Sequence, residues 1–275
     1  MKLTDVHTHS AYSNDGISPL EEMVFAAKAQ GLSYYGVSEH FDYDYLHLGI
    51  LASGKHIRMT DADAYFAEAR ALQQALSDGT FRILAGGEFG FAEDARCYGE
   101  YGRLIETYRP DFVVNSVHTC DGNDCYFADY FRGKDKAYAY RSYLEAVRKS
   151  LDAPYGYDVV GHIGYVSRNA PYPDKALRYE EFADPLDDIL KTVVARRKIL
   201  EVNSSIRGTE SGFLPATDIL TRYFELGGRE VSFASDAHDV ARIAEKRESV
   251  CAALKAIGFT HVTVPDRGKR IRVEI

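Results

Sequence analysis

The chain has 275 residues, 45% of them apolar, and a formal charge of −8, enough length for a large core in one domain or two. The acidic balance and the lack of a Lys/Arg-rich run count against a nucleic-acid partner, and no stretch approaches the ~20 apolar residues of a membrane span. Four cysteines (Cys97, Cys120, Cys125, Cys251) without CxxC spacing exclude a disulfide framework, and Met1-Lys2-Leu3-Thr4-Asp5 opens without an apolar leader, so a cytoplasmic protein with reduced thiols is expected.

In chain order, short β-type runs alternate with helix-type stretches. The strands are expected at Leu3–His7, Tyr34–Ser38, Ile83–Glu88, Phe112–Val117, Val159–His162, Ile199–Asn203 and Val231–Ser235. Between them the apolar periodicity predicts helices at Pro19–Gln30, Asp61–Leu76, Glu100–Tyr108, Lys136–Leu151, Pro185–Arg197, Ala216–Leu226 and Ile243–Ile257. Gly31, Gly79, Gly227 and Gly258 stand where helices should stop, because glycine takes positive φ without steric cost. Thr260–Pro265 and Ile271–Ile275 around Asp266-Arg267-Gly268 predict a terminal β-hairpin. The alternation predicts an α/β fold, a parallel sheet wrapped by helices, and the absence of a linker or repeat predicts a single domain, 1–275.

The residues at the strand ends carry the chemical signal. The first strand runs into His7 and His9, the second into Glu39-His40, the third into Glu88, the fourth into His118, the fifth into His162 and the seventh into Asp236-Ala237-His238. Six of the nine histidines fall at these ends, whereas His47, His56 and His261 do not. In a parallel barrel all carboxyl strand ends open on one face, so residues far apart in sequence converge. Each motif has a plain structural reading by itself; Ser235-Asp236, for instance, is a good helix cap. Taken together, with Asp15, the pattern offers more ligands than one ion can use. Imidazoles mixed with carboxylates suit Zn²⁺, Mn²⁺ or Fe²⁺ better than Mg²⁺ or Ca²⁺, and two or three ions are expected. His7 and His9, two apart on an extended segment, point the same way and can share an ion.

Such a cluster would make hydroxide available near neutral pH and polarise the oxygens of a phosphate. Arg168, six residues after His162, and Arg207, four after Asn203, are the candidates to hold the phosphoryl group, because a guanidinium fork can bind two oxygens at once. Arg132 and Lys134 are weaker candidates. Asp15, His238 and a metal-bound water are candidates for the acid that protonates the leaving alkoxide, and the sequence does not rank them. Asp42-Tyr43-Asp44 offers an acidic patch to a substrate ammonium, and Asp121–Asp135 reads as a functional loop at the same face.

These motifs together resemble the polymerase and histidinol phosphatase (PHP) superfamily. The resemblance covers nearly the whole chain and rests on Asp5-Val6-His7-Thr8-His9 with Asp15-Gly16, Glu39-His40, Glu88 through His118, and His162 through Asp236-Ala237-His238. It implies a distorted (β/α)7 barrel related to the TIM barrel. It also implies His7, His9, Glu88 and Asp236 on one metal, Glu88, His118 and His162 on a second, and Asp15, His40 and His238 on a third. Asp15 stands where several relatives carry His. Within the superfamily the chain looks most like the branch that hydrolyses L-histidinol phosphate to L-histidinol and phosphate in histidine biosynthesis. A sugar phosphate, a nucleotide or phosphotyrosine as substrate, or a nuclease activity, are the competing readings.

Overall fold

The structure, a computed structural model, describes residues 3–206 and 212–275. Seven parallel strands form one sheet in the spatial order β1 (Leu3–Asp5), β2 (Leu32–Phe41), β3 (Arg82–Gly90), β4 (Val113–Ser116), β7 (Val159–Val160), β8 (Ile199–Asn203) and β9 (Val231–Ala234). Each strand pairs with the next of these along the chain, as successive strand–helix crossovers of one hand require. The sheet curls until its edges meet. Beyond the last regular pair, Val6 N–H donates to Phe233 O at 3.3 Å, Asp236 N–H to His7 O at 2.9 Å and His9 N–H to Ala237 O at 2.8 Å. This seam makes a nearly closed, distorted (β/α)7 barrel, as expected from the sequence.

The helices are α1 (Leu20–Ala29), α2 (Tyr43–Leu48), α3 (Ala62–Leu76), α4 (Ala95–Tyr108), α5 (Ala128–Phe131), α6 (Lys136–Ser150), α7 (Ala183–Ala195), α8 (Thr217–Glu225) and α9 (Arg247–Ile257). Side-chain caps fix several starts: Asp61 accepts from Ala64 N–H, Asp94 from Arg96 N–H and Asp135 from Tyr138 N–H. The Asp94 cap explains why α4 begins before the expected Glu100. The last helix begins later than the expected Ile243, because Ala244 and Lys246 adopt positive φ. That stretch serves the barrel instead: Ala244 N–H donates to Asp5 Oδ2 at 2.8 Å, and Ser204 Oγ donates to Glu245 O at 2.7 Å.

Two further two-stranded sheets complete the fold. Strands β5 (Thr119–Cys120) and β6 (Asn123–Asp124) form a small hairpin that, with α5, occupies the segment expected as a loop. Strands β10 (His261–Asp266) and β11 (Lys269–Glu274) form the expected terminal hairpin, turning on Arg267 and Gly268, both at positive φ. Inside the barrel the Phe112 ring lies against Gly36 and Gly86, where an added Cβ would come within 2.9 and 2.5 Å of it. Glycine at both positions therefore leaves room for the ring that plugs the barrel floor. Buried tyrosines supply the outer packing and satisfy their hydroxyls on strand carbonyls, as Tyr65 does on Val37 O at 3.0 Å and Gly86 O at 2.8 Å.

A candidate metal centre at the strand ends

The carboxyl strand ends converge on one cavity of about 810 Å³, whose lining includes Asp15, His40, Glu88, His118, His162, Arg168, Asp236 and His238. Glu88, near the end of β3, is its hub. Oε1 lies 2.8 Å from His162 Nε2 and 3.2 Å from His118 Nε2; Oε2 lies 2.9 Å from His40 Nδ1, 3.2 Å from His7 Nε2 and 3.5 Å from His9 Nε2. The two Nε2 atoms of His7 and His9 are 3.0 Å apart, and Asp236 Oδ1 is 3.3 Å from His9 Nε2. The His9 ring stacks on those of both His40 and His238, at centroid distances of 4.1 and 4.3 Å, and these two rings lie 5.8 Å from each other. Asp15 faces the outer side, 3.3 Å from His238 Nε2 and 3.7 Å from His40 Nε2.

This crowding fits a bound cation. Glu88 Oε2, His40 Nδ1, His162 Nδ1 and His238 Nε2 are buried without a hydrogen-bond partner. Each such orphan costs roughly 1–3 kcal/mol, and native proteins avoid leaving several together. Four groups bring their donor atoms within 4.8 Å of one another: His7, His9 and Glu88; Glu88, His118 and His162; His9, His40 and His238; and His40, Asp42 and His118. The donors are imidazole nitrogens and carboxylate oxygens with no thiolate, a set that suits zinc, manganese or iron.

The electrostatics agree. Burial alone would push the Glu88 carboxyl up, but the imidazoles of His7, His118 and His40 hold it well below the usual range. His40 is pushed up to about 10: burial opposes this, and the carboxylates of Asp42, Glu88 and Asp15 outweigh it. His9 goes the other way, lowered by burial and by the neighbouring His40 and His238. The cavity thus concentrates negative charge on Glu88, which faces imidazoles and no described lysine or arginine, and on Asp236, which shares its charge with Arg168.

Behind the ring of donors stands a layer that the strand-end pattern did not disclose. His118 Nδ1 is 3.0 Å from Asp42 Oδ1, His9 Nδ1 is 3.2 Å from Ser13 Oγ, and His7 Nδ1 is 2.5 Å from Glu201 Oε1. Ser13 is held in turn by Glu39. Glu201 had one signal in the sequence, a charge inside the apolar run Ile199-Leu200-Glu201-Val202, where a strand buried on both faces carries none without cause.

The remaining candidates separate. Arg168 lies on the cavity wall, its Nη2 2.7 Å from Asp236 Oδ2 and 2.9 Å from Asn203 Oδ1, and its Nε has no partner. Arg207 lies outside the described residues. Arg132 pairs with Asp129 in solvent, and Lys134 pairs with Asp121 over the Tyr130 ring; neither lines the cavity. The acidic patch expected to meet a substrate ammonium is otherwise engaged: Asp42 is turned onto His118, and Asp44 is fully buried on Thr119 Oγ1 at 2.6 Å. Asp42 still lines the cavity, and the hairpin segment reaches it as well, through Asp124, Tyr126 and Phe127.

A parallel barrel with an imidazole–carboxylate centre at its strand ends defines a recognisable class of proteins. The chain belongs to the PHP domain family, whose model matches residues 5–205. It is 29% identical over 235 residues to a Clostridium acetobutylicum protein named "Probable histidinol-phosphatase", covering 85% of this chain and 86% of that one. It is 28% identical over 260 residues to the histidinol-phosphatase of Lactococcus lactis subsp. lactis, covering 94% of this chain and 93% of the relative. The crystal structure of the histidinol phosphate phosphatase from Lactococcus lactis subsp. lactis, complexed with zinc, L-histidinol and phosphate, superposes with a TM-score of 0.86 at 27% identity, over 98% of this chain and 99% of that one.

Proposed function

We propose that this protein hydrolyses a phosphate monoester, L-histidinol phosphate, to L-histidinol and phosphate. The observation that carries the reading is the convergence of Glu88 with five imidazoles in one open cavity, in a chain that matches the histidinol-phosphatase of Lactococcus lactis subsp. lactis along nearly its whole length. In this reading His7, His9, Glu88 and Asp236 hold one divalent ion, Glu88, His118 and His162 a second, and Asp15, His40 and His238 a third. Zinc, manganese or iron ions supply Lewis-acid charge for phosphoryl oxygens and bring the deprotonation of water towards neutral pH.

The protein's own groups do the rest. Phosphoryl transfer needs positioning and charge stabilisation more than covalent assistance, and Arg168 offers a guanidinium on the cavity wall, held rigid by Asp236 and Asn203. Arg207 is proposed as its companion. Hydrolysis leaves an alkoxide that must take a proton, and Asp15 and His238, 3.3 Å apart at the outer side of the cavity, are the groups that can hold one there when no ion occupies the third set. Tyr126 and Phe127 add aromatic surface to the lining of the same cavity. The whole chain, 1–275, acts as one unit in this reading, since Asp236 and His238 lie beyond the family match yet meet His9. No described helix is long and apolar enough to cross a membrane, and a cytoplasmic enzyme acting on a small molecule rather than nucleic acid is the corresponding assignment.

Phosphate release from L-histidinol phosphate and from a panel of sugar phosphates, nucleotides and phosphotyrosine tests the reading, with protein reconstituted separately with Zn²⁺, Mn²⁺ and Fe²⁺. Preference for histidinol phosphate by orders of magnitude in kcat/KM, lost in His7→Ala, is expected. Comparable slow turnover of many esters would reduce the assignment to a general phosphoesterase.

A further inference from the structure

Strand β8 brings no residue to the proposed ligand sets, yet its inward-facing Glu201 is fully buried directly behind His7. Among the described residues its hydrogen-bond partners are the His7 imidazole at 2.5 Å, the backbone N–H of His162 at 2.8 Å and the Asn203 amide at 3.1 Å. None is a lysine or arginine. A buried carboxylate whose basic partner is an imidazole is a costly way to fill a core, so its presence calls for a reason other than packing.

The two nitrogens of His7 give that reason. Nδ1 faces Glu201, while Nε2 points into the cavity, 3.0 Å from His9 Nε2 and 3.2 Å from Glu88 Oε2. An imidazole takes a cation through the nitrogen that lacks a proton, and a carboxylate on the other nitrogen keeps the proton there and fixes the ring plane. We propose that Glu201 is a positioning residue: it holds His7 as the Nδ1–H tautomer with its Nε2 lone pair turned to a divalent cation. Its second oxygen anchors the backbone of His162, so one side chain on a strand without ligands sets two donors, one following β1 and one following β7. The other imidazoles are backed differently: His9 by the Ser13 hydroxyl, His238 by the Asp236 carbonyl, His118 by Asp42, which lines the cavity. Glu201 is the backing carboxylate that no cavity water or substrate can reach.

The inference rests on the metal-centre reading but not on the substrate, and its test reads metal and tautomer rather than turnover. Metal-free wild type, Glu201→Gln and Glu201→Asp are titrated with zinc against a chromophoric chelator. The tightest zinc affinity should fall about 10–100-fold in Glu201→Gln, with Glu201→Asp between the two. Nitrogen-15 spectra of the zinc-loaded proteins should show a single Nδ1–H tautomer for His7 in wild type and a mixture in Glu201→Gln. Should Glu201→Gln fail to fold, Glu201→Asp decides by the same affinity and tautomer readings. Zinc uptake as tight in the variant as in wild type, or an unchanged His7 tautomer, overturns the inference alone. A wild type that takes up no zinc overturns the metal-centre reading along with it.

Discussion

Two buried carboxylates, one near each end of the barrel, have opposite surroundings. Asp111, ahead of β4, is 1% exposed and saturated by fixed donors. Its Oδ2 accepts from Arg70 Nη1 at 2.7 Å, Gln73 Nε2 at 2.8 Å and Ala85 N–H at 2.9 Å, and its Oδ1 from Arg267 Nε at 2.5 Å. Glu88, at the carboxyl end of β3, has Ser116 and His162 on one oxygen and leaves the other without a hydrogen bond, among imidazoles that approach without closing on it. The same functional group thus ties helix α3, strand β3 and the terminal hairpin together at one end, and at the other is kept short of partners. Stability accounts for the first arrangement. Only a ligand accounts for the second.

The sharpest way to break this contrast is Glu88→Gln, which keeps the shape and removes the charge. Phosphatase activity should fall roughly 10³-fold or more. Activity within tenfold of wild type would refute the role of Glu88 as hub. Asp111→Ala should do the reverse, costing about 2–3 kcal/mol in denaturant unfolding with kcat of the folded protein unchanged. That cost is below the fully buried range because Arg267 is more than half exposed. Arg168→Ala should lower kcat/KM about 10²-fold, and Arg168→Lys should recover only part, since a point charge cannot replace a fork.

A smaller effect comes from pH. Burial would raise the Asp111 carboxyl, but the Ala85 N–H, Arg267 and Arg70 outweigh it and hold it below its ordinary value. A carboxyl depressed in the folded state stabilises above its unfolded pKa of about 4, and that stability is lost as pH falls through the lower folded value. Urea midpoints of wild type should therefore drop below about pH 4 more steeply than those of Asp111→Asn. The smallest effect is expected for Arg132→Ala, whose side chain is 81% exposed on Asp129: steady-state rates should change less than about twofold, as for a surface pair of this kind.

Much of this was legible in the chain because a parallel barrel converts a one-dimensional rhythm into a place. All seven sheet strands lie where apolar runs predicted them, and Ile199–Asn203 matches residue for residue. What escaped the reading depends on contacts between distant segments. Nothing local in Ala244-Glu245-Lys246 says that its backbone will bind Asp5 and Ser204, so the helix was expected to begin at Ile243. Asp42 looked free because its partner, His118, is 76 residues away. Glu201 was visible as an anomaly in an apolar run, but its meaning required His7, 194 residues distant. Ligand-type residues announce themselves by position along strands, whereas the groups that orient them are named only by the fold.

The seam of the barrel has a consequence for how the protein comes into being. His7 and His9 are synthesised well before Asp236 and His238, and the backbone pairs Asp236 with His7 and Ala237 with His9 across that seam. A nascent chain cannot assemble this part of the centre until its final barrel strand has left the ribosome. An ion shared between the first and last strands would then work as a clasp, binding the closed barrel and not the open one, so that loading reports completion and holds the seam shut more firmly with the logarithm of metal concentration.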